Sequence, residues 1–386
     1  MVAEASRRGG RGARVLFIQA TEPAGYPPLI HAATLMAEAG WDVTFLAAPI
    51  AGNRLELTPH PRIAVRSIPA RPSHVMGKPA YARYVAAAAR LGLAMRPRVV
   101  YASDPLGAGP GRLAARLAGA RLVYHEHDSP APGALHPWLA RQRGAAARQA
   151  ALVIFPNAAR ASIAQAELGF SGDRLRIVWN LPCRAELPPL AGAANGPLVL
   201  YYHGGVSPAR LPEAVVEAVR RLGGRLRLRI VGNESAGARG YIARLLDRGL
   251  LPNGKQVVTY AGQIHRTDLL AAAARADIGL ALMPRNSADI NMRHMTGASN
   301  KAFDYMAAGL ALLVSDLPDW RDMFVAPGYA RAGDPADPDS MAAALGWFLD
   351  HAGERRAMAA RARARIEADW NYDAAFAPIV SVLSHG

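Results

Sequence analysis

From Val15 onward, apolar runs of three to six residues alternate with longer stretches rich in Ala, Leu and Arg. In the first half the runs are Val15–Ala20, Val43–Ala48, Ile63–Ile68, Val99–Ala102, Leu122–His125, Ala151–Phe155 and Ile177–Trp179. Strands that are apolar on both faces and separated by helices imply a parallel sheet covered on both sides. The alternation stops at Leu181–Pro197, rich in Pro, Ala and Gly, and resumes with Leu198–His203, Leu226–Val231, Val257–Ala261, Ile278–Leu282 and Ala311–Ser315. A second parallel sheet follows from the same argument, with 181–197 as the linker. The expected organisation is an N-terminal domain over residues 1–190, a second over 191–370, and a terminal helix over 371–386. In doubly wound sheets ligands sit outside the carboxyl ends of the strands, so the chemistry is expected in strand-to-helix loops.

The 386 residues suit two domains, each able to bury its own core. No apolar run reaches the roughly 18 residues of a membrane span, and Met1–Arg14 lacks the apolar segment of a secretory leader. The single cysteine, Cys183, cannot form an internal disulfide. A cytoplasmic protein is the expectation. Residues 1–190 hold 23 basic and 11 acidic side chains, and the rest of the chain 22 and 19. The basic half suits an anionic partner such as a membrane surface or a lipid phosphate, or is simply a solvated Arg-rich face. Zinc-finger spacing and basic–aromatic repeats are absent, which excludes a nucleic-acid module. Within the basic half, Lys78–Arg98 combines Lys78, Arg83, Arg90, Arg96 and Arg98 with Tyr81, Tyr84, Leu91, Leu93 and Met95, a partly amphipathic pattern.

The most informative segment is SNKAFDYMAAGLALLVSDLPD, Ser299 to Asp319. Ser299 and Asn300 can cap a helix carrying Lys301 and Asp304. The N-terminus of such a helix offers backbone N–H groups and a positive dipole end to a diphosphate, and Lys301 adds a charge. Asp304, one turn on, can accept hydrogen bonds from ribose hydroxyls. In Tyr201–Arg210, Gly204 and Gly205 permit close approach of a ligand to the backbone, and Arg210 can grip a phosphate bidentately. Two further strand ends carry Gly232-Asn233 and Gln263-Ile264, expected at a nucleotide.

These residues resemble the donor-binding signature of glycosyltransferase family 4, whose members are retaining enzymes of the GT-B fold. That signature has two glutamates separated by seven residues. Here Asp304 stands at the second position and Thr296 at the first. Arg210 stands where the family has lysine, and Gly205 where it has arginine. The resemblance implies two Rossmann-like doubly wound domains facing each other across a cleft, with the donor on the second. It also implies a role for the first domain's Tyr124-His125-Glu126-His127-Asp128, in which His127 falls at the active-site position and Asp128 beside it. Asp104 and the loop holding Gly25 and Tyr26 are expected on the acceptor side. The implied reaction is retaining, metal-independent transfer from a nucleotide-diphosphate-sugar, a substrate and not a cofactor. The acceptor is a hydroxyl on a glycan, a lipid-linked carrier or a small molecule. Arg210, Lys301 and the helix N-terminus would stabilise the leaving diphosphate, and His127 would hydrogen-bond the sugar. Two other readings stay open: a sugar-nucleotide epimerase of the same fold, and a nucleotide-sugar-binding protein without activity.

Overall fold

The computed structural model describes residues 12–49, 57–69, 76–190, 196–235 and 237–385. The chain divides into two compact units, Met1–Val178 with Phe376–Gly386, and Trp179–Ala375.

The first unit is a seven-stranded sheet of β1 (Arg14–Gln19), β2 (Asp42–Ala47), β3 (Ile63–Ser67), β4 (Val99–Ser103), β5 (Arg121–His125), β6 (Leu152–Phe155) and β7 (Leu175–Ile177). All pairings are parallel, in the order β3-β2-β1-β4-β5-β6-β7. Helices α1 (Pro27–Glu38), α2 (Lys78–Met95), α3 (Asp104–Ala118), α4 (Pro137–Gln149) and α5 (Ala158–Leu168) provide the connections. Strand order reverses between β1 and β4, so the loops after these two strands open a crevice at the carboxyl edge. The core strands are apolar on both faces because helices cover both.

Two glycines of the Gly107–Gly111 stretch are packing residues. A Cβ on Gly107 would lie 2.8 Å from the carbonyl of Ile18, and one on Gly111 2.5 Å from the Cβ of Ala102. They let α3 press onto β1 and β4. In α2, Tyr84 and Ala88 are buried in the core, and Gly92 meets Ala114 of α3. Lys78, Arg83, Arg90, Arg96 and Arg98 are exposed. The apolar side of this helix is therefore largely consumed by the protein, and Leu93 is its exposed large apolar residue.

The second unit holds β8 (Leu198–Val206), β9 (Leu226–Glu234), β10 (Val258–Tyr260), β11 (Ile278–Ala281), β12 (Ala311–Ser315) and β13 (Ala330–Gly333). They form a parallel sheet in the order β10-β9-β8-β11-β12-β13, reversing between β8 and β11. Its helices are α6 (Glu213–Arg221), α7 (Tyr241–Arg248), α8 (Arg266–Ala273), α9 (Ile290–Arg293), α10 (Asn300–Ala307), α11 (Pro318–Trp320), α12 (Pro338–Asp350) and α13 (Ala352–Ala368). A last helix, α14 (Tyr372–His385), leaves this unit and contributes its residues from Phe376 to the first.

Three details differ from the sequence reading. The boundary falls at Val178 and not at 190. Asn180 bonds to the carbonyls of Gly297 and Ala298, Trp179 stacks on Phe303, and the Pro182 carbonyl accepts from the Tyr372 amide. These contacts bind 179–186 to the second unit, while residues 191–195 of the expected linker lie outside the described residues. Strands β8 and β9 run three residues past their expected ends, which draws Gly204, Gly205, Gly232 and Asn233 into paired strand in place of turns. The sequence also hides β13, whose residues Ala-Arg-Ala-Gly form no apolar run.

Candidate functional site

In the second unit, β8 and β9 stay in register to their tips, Gly204 opposite Gly232 and Gly205 opposite Asn233. Gly204 has φ 104° and Gly232 φ 129°. A Cβ on Gly232 would sit 2.1 Å from the Gly204 carbonyl oxygen, so only glycine fits. The room these residues leave is taken by two cations and by Ser235, whose Oγ would lie 2.8 Å from a Cβ on Gly205. A Cβ on Gly204 would lie 3.3 Å from Lys301 Nζ, and one on Gly205 3.4 Å from Arg210 Nη1. Lys301 and Arg210 thus converge on adjacent glycines at the switch point of the sheet.

Neither cation is hydrogen-bonded to a carboxylate among the described residues. Lys301 rests over the Tyr202 ring, 5.6 Å from its centroid. Burial, and then repulsion from Arg210, lower its pKa from 10.5 to about 7, Asp304 opposing them. Two half-buried like charges that no carboxylate bonds directly repel one another, and an incoming anion relieves that repulsion. Ser299 is the N-cap of α10, but its side chain makes no capping bond. The Nδ2 of Asn300 is buried with no partner. Unused donors and two cations near one helix start have the chemistry that suits an anion.

Asp304 takes a different place from the one expected. Its side chain is fully buried, and Arg266 grips both carboxylate oxygens at 2.7 and 2.8 Å. His203 Nε2 lies 3.3 Å from Oδ2. Burial alone would raise this carboxyl; Arg266 and His203 hold it below the ordinary range. Arg266 also bonds Glu186 at 2.8 Å, and the Tyr305 hydroxyl accepts from the His203 amide at 2.9 Å. Asp304 is therefore the hub that ties the middle of α10 to the start of α8, to β8 and, through Arg266, to the 184–186 turn. It anchors the rim and does not present acceptors to a ribose. Arg266, His203 and Glu186 were not legible as site residues, because nothing local marks pairings that span from 38 residues (Arg266 to Asp304) to 80 (Arg266 to Glu186) and beyond.

Asn233 Nδ2 donates to Gln263 Oε1, joining the tips of β9 and the loop after β10. Gly262 has φ 75°, and its carbonyl accepts from the Gly232 amide at 2.8 Å. Gln263 is exposed and Ile264 half-buried. The Thr296 hydroxyl donates to Asp319. Asp337 caps α12, and Asp339 pairs with Arg221, so Asp337-Pro338-Asp339 serves a helix start.

At the rim of the first unit, Asp104 opens α3 with φ 60°, a strained conformation for a non-glycine residue. Its carboxylate accepts from the His127 amide at 2.8 Å, and Ser103 Oγ lies 3.2 Å from His127 Nδ1. The His127 ring stacks on His125 at 3.8 Å, and the Tyr26 ring is 5.7 Å away. His127 Nε2 is buried without a hydrogen-bond partner. Asp104, His127 and Tyr26 are thus brought together, with Gly25 exposed in the turn before Tyr26. Asp128 is 71% exposed, with Arg160 at 3.8 Å. Glu126 points the other way, into a core pair with Arg143 at 2.7 and 2.8 Å and with the Tyr124 hydroxyl at 2.6 Å. The His-Glu-His run is therefore divided between rim and core, and does not chelate through Glu126.

Comparison with known proteins adds to this geometry. Residues 30–180 match the family model of the glycosyl transferase 4-like domain, and residues 210–381 that of a glycosyl transferase-like domain. No curated protein matches the chain in sequence. The structure is similar to HepE from Anabaena in complex with UDP (16% identity, 96% of this chain and 99% of that one, TM-score 0.68). It is also similar to a glycosyltransferase from Rickettsia africae (10%, 97% and 98%, TM-score 0.73). A UDP-N-acetylglucosamine 2-epimerase aligns too (12%, 97% and 96%, TM-score 0.61). At these identities the structural likeness establishes the fold alone.

Proposed function

We propose that this chain, a member of the GT-B glycosyltransferases, is a retaining, metal-independent enzyme that moves a sugar from a nucleotide-diphosphate-sugar to a hydroxyl acceptor. The observation that carries this reading is the convergence of Lys301 and Arg210 on Gly204 and Gly205, beside the unpartnered Asn300 amide. A diphosphate is the natural occupant: it neutralises both cations and accepts the orphaned donor. The UDP held by HepE, on the same fold, supports a nucleotide in that role.

Retaining transfer without a covalent nucleophile needs a stabilised leaving group, a held sugar, and an acceptor approaching on the leaving-group face. Arg210, Lys301 and the start of α10 would meet the charge growing on the leaving oxygen, a preorganised arrangement that needs no divalent cation. His127 would hydrogen-bond the sugar through Nε2, its ring held from the other side by Ser103 and Asp104. The departing phosphate oxygen would take the acceptor proton. Asn233, Gln263, Gly232 and Ile264 would lie along the nucleotide, and Gly25, Tyr26, Asp104 and Asp128 toward the acceptor.

For the acceptor, a lipid-linked or cell-envelope glycan fits the basic N-terminal half. Arg83 and Arg90 of α2 and Arg96 and Arg98 just after it are exposed, as are Leu117 and Trp138 on α3 and α4. Exposed basic residues of this kind suit an anionic membrane surface at the cytoplasmic side. No helix among the described residues is long and apolar enough to cross a membrane.

The test is donor turnover with and without acceptor extracts, followed by the anomeric configuration of the product. Transfer that depends on acceptor and retains configuration supports the proposal. Isomerisation of the donor alone would favour the epimerase reading, which the epimerase of the same fold keeps in view. Binding without turnover would favour a sugar-nucleotide-binding protein.

A further inference from the structure

Several carboxylates at the carboxyl edge of the second sheet are committed to partners. Asp304 is held by Arg266, Asp316 by Arg321 and Asp334 by Arg285, and Glu234 accepts from the amides of Gly240 and Ile242. Asp319, in the short helix α11 that follows β12, is exposed and has no basic partner among the described residues. It is nevertheless oriented. One oxygen accepts from the Thr296 hydroxyl, and the other from the amide of Trp320 at 3.1 Å. The Trp320 side chain is itself buried.

Thr296 is a firm support. It lies in a turn closed by bonds from the amides of Ala298 and Ser299 to the Met295 carbonyl, at 2.9 and 3.0 Å. Asn180 pins that turn from beneath, its amide to Gly297 at 2.8 Å and its Nδ2 to Ala298 at 2.6 Å. The turn runs directly into Ser299, the N-cap of α10, so Asp319 is bonded to the segment that leads into the helix start carrying Lys301.

An ordinary surface aspartate turns freely in water, whereas one fixed at both oxygens is preorganised for a ligand. A carboxylate has about four acceptor positions; here the protein uses two. A cation is a poor candidate for the remainder, because Lys301 and Arg210 make this rim basic. Neutral hydroxyl groups are the donors that fit. We infer that Asp319, oriented by Thr296, accepts hydrogen bonds from hydroxyls of the sugar carried by the nucleotide, and so determines which sugars the site takes. This rests on the donor reading above. It assigns a sugar contact to a residue 23 positions away from Thr296 in sequence, in α11.

The experiment is calorimetric titration of the full chain and of Asp319→Ala, Asp319→Asn and Thr296→Val. The probes are UDP and GDP, each compared with UDP-glucose and GDP-mannose. Asp319→Ala is expected to weaken the bound nucleotide-sugar at least tenfold while changing the matching diphosphate less than twofold. Asp319→Asn and Thr296→Val should fall between wild type and Ala. Equal losses for sugar-bearing and sugar-free ligands would make Asp319 a structural residue and overturn the inference, as would no loss at all. Failure of the wild-type chain to bind any of the diphosphates would instead overturn the donor reading itself, and the inference with it.

Discussion

Raising the pH should weaken nucleotide-sugar binding through Lys301. Without ligand, burial and Arg210 bring its pKa to about 7, while Asp304, the carboxylate nearest in effect, is occupied by Arg266 and His203. A diphosphate beside Nζ favours the charged form and returns the pKa toward 10.5. Between these values the complex holds one more proton than the unliganded protein, so affinity falls as pH rises. With a free pKa of 7 and a bound value near 10.5, the loss from pH 7 to pH 9 is about 50-fold, or about 2 kcal/mol. A nucleotide-sugar is the right probe because its diphosphate diester does not titrate in this range. Calorimetry in two buffers of different ionisation enthalpy should register uptake of about half a proton at pH 7 and nearly one at pH 8. Lys301→Met should bind more weakly at pH 7 and lose the slope. Equal affinity at pH 7 and 9, or an unchanged slope in Lys301→Met, would refute the reasoning.

Arg210→Ala should lower turnover at least 100-fold with the fold intact, since loss of one preorganised electrostatic partner costs about 2.7–4 kcal/mol of barrier; near-normal turnover removes it from the diphosphate site. Activity should persist in EDTA, and loss that magnesium or manganese restores would contradict the metal-independent proposal. Vesicles containing anionic lipid should bind the chain and zwitterionic ones should not, with binding weakening as salt rises; indifference to both at low salt would point to a soluble acceptor. Gly111→Ala, whose Cβ would stand 2.5 Å from that of Ala102, should lower stability by about 1–3 kcal/mol on chemical denaturation, and an unchanged midpoint would mean that α3 shifts freely over the sheet.

The sequence by itself determined the architecture of this protein. Strands covered by helices on both faces must be apolar throughout, and twelve of the thirteen strands announce themselves as apolar runs such as Val99–Ala102 and Ala311–Ser315. The thirteenth, β13, is an edge strand whose four residues, Ala-Arg-Ala-Gly, form no apolar run. Sequence likewise indicated the start of α10 at Ser299 and Asn300, because the signals of a helix start are local. The partners of those groups were decided only by the tertiary structure. Asp304 looked like a ligand-facing acid one turn beyond Lys301, yet Arg266 from α8 and His203 from β8 claim it in the interior. Glu126 sits between two histidines in sequence, but alternation along the chain sends it to Arg143 in the core while His127 stays at the rim. Thr296 meets Asp319 across a span of 23 residues. Burial and charge pairing are properties of which strands become neighbours, and parallel crossovers bring together side chains that the linear order keeps far apart.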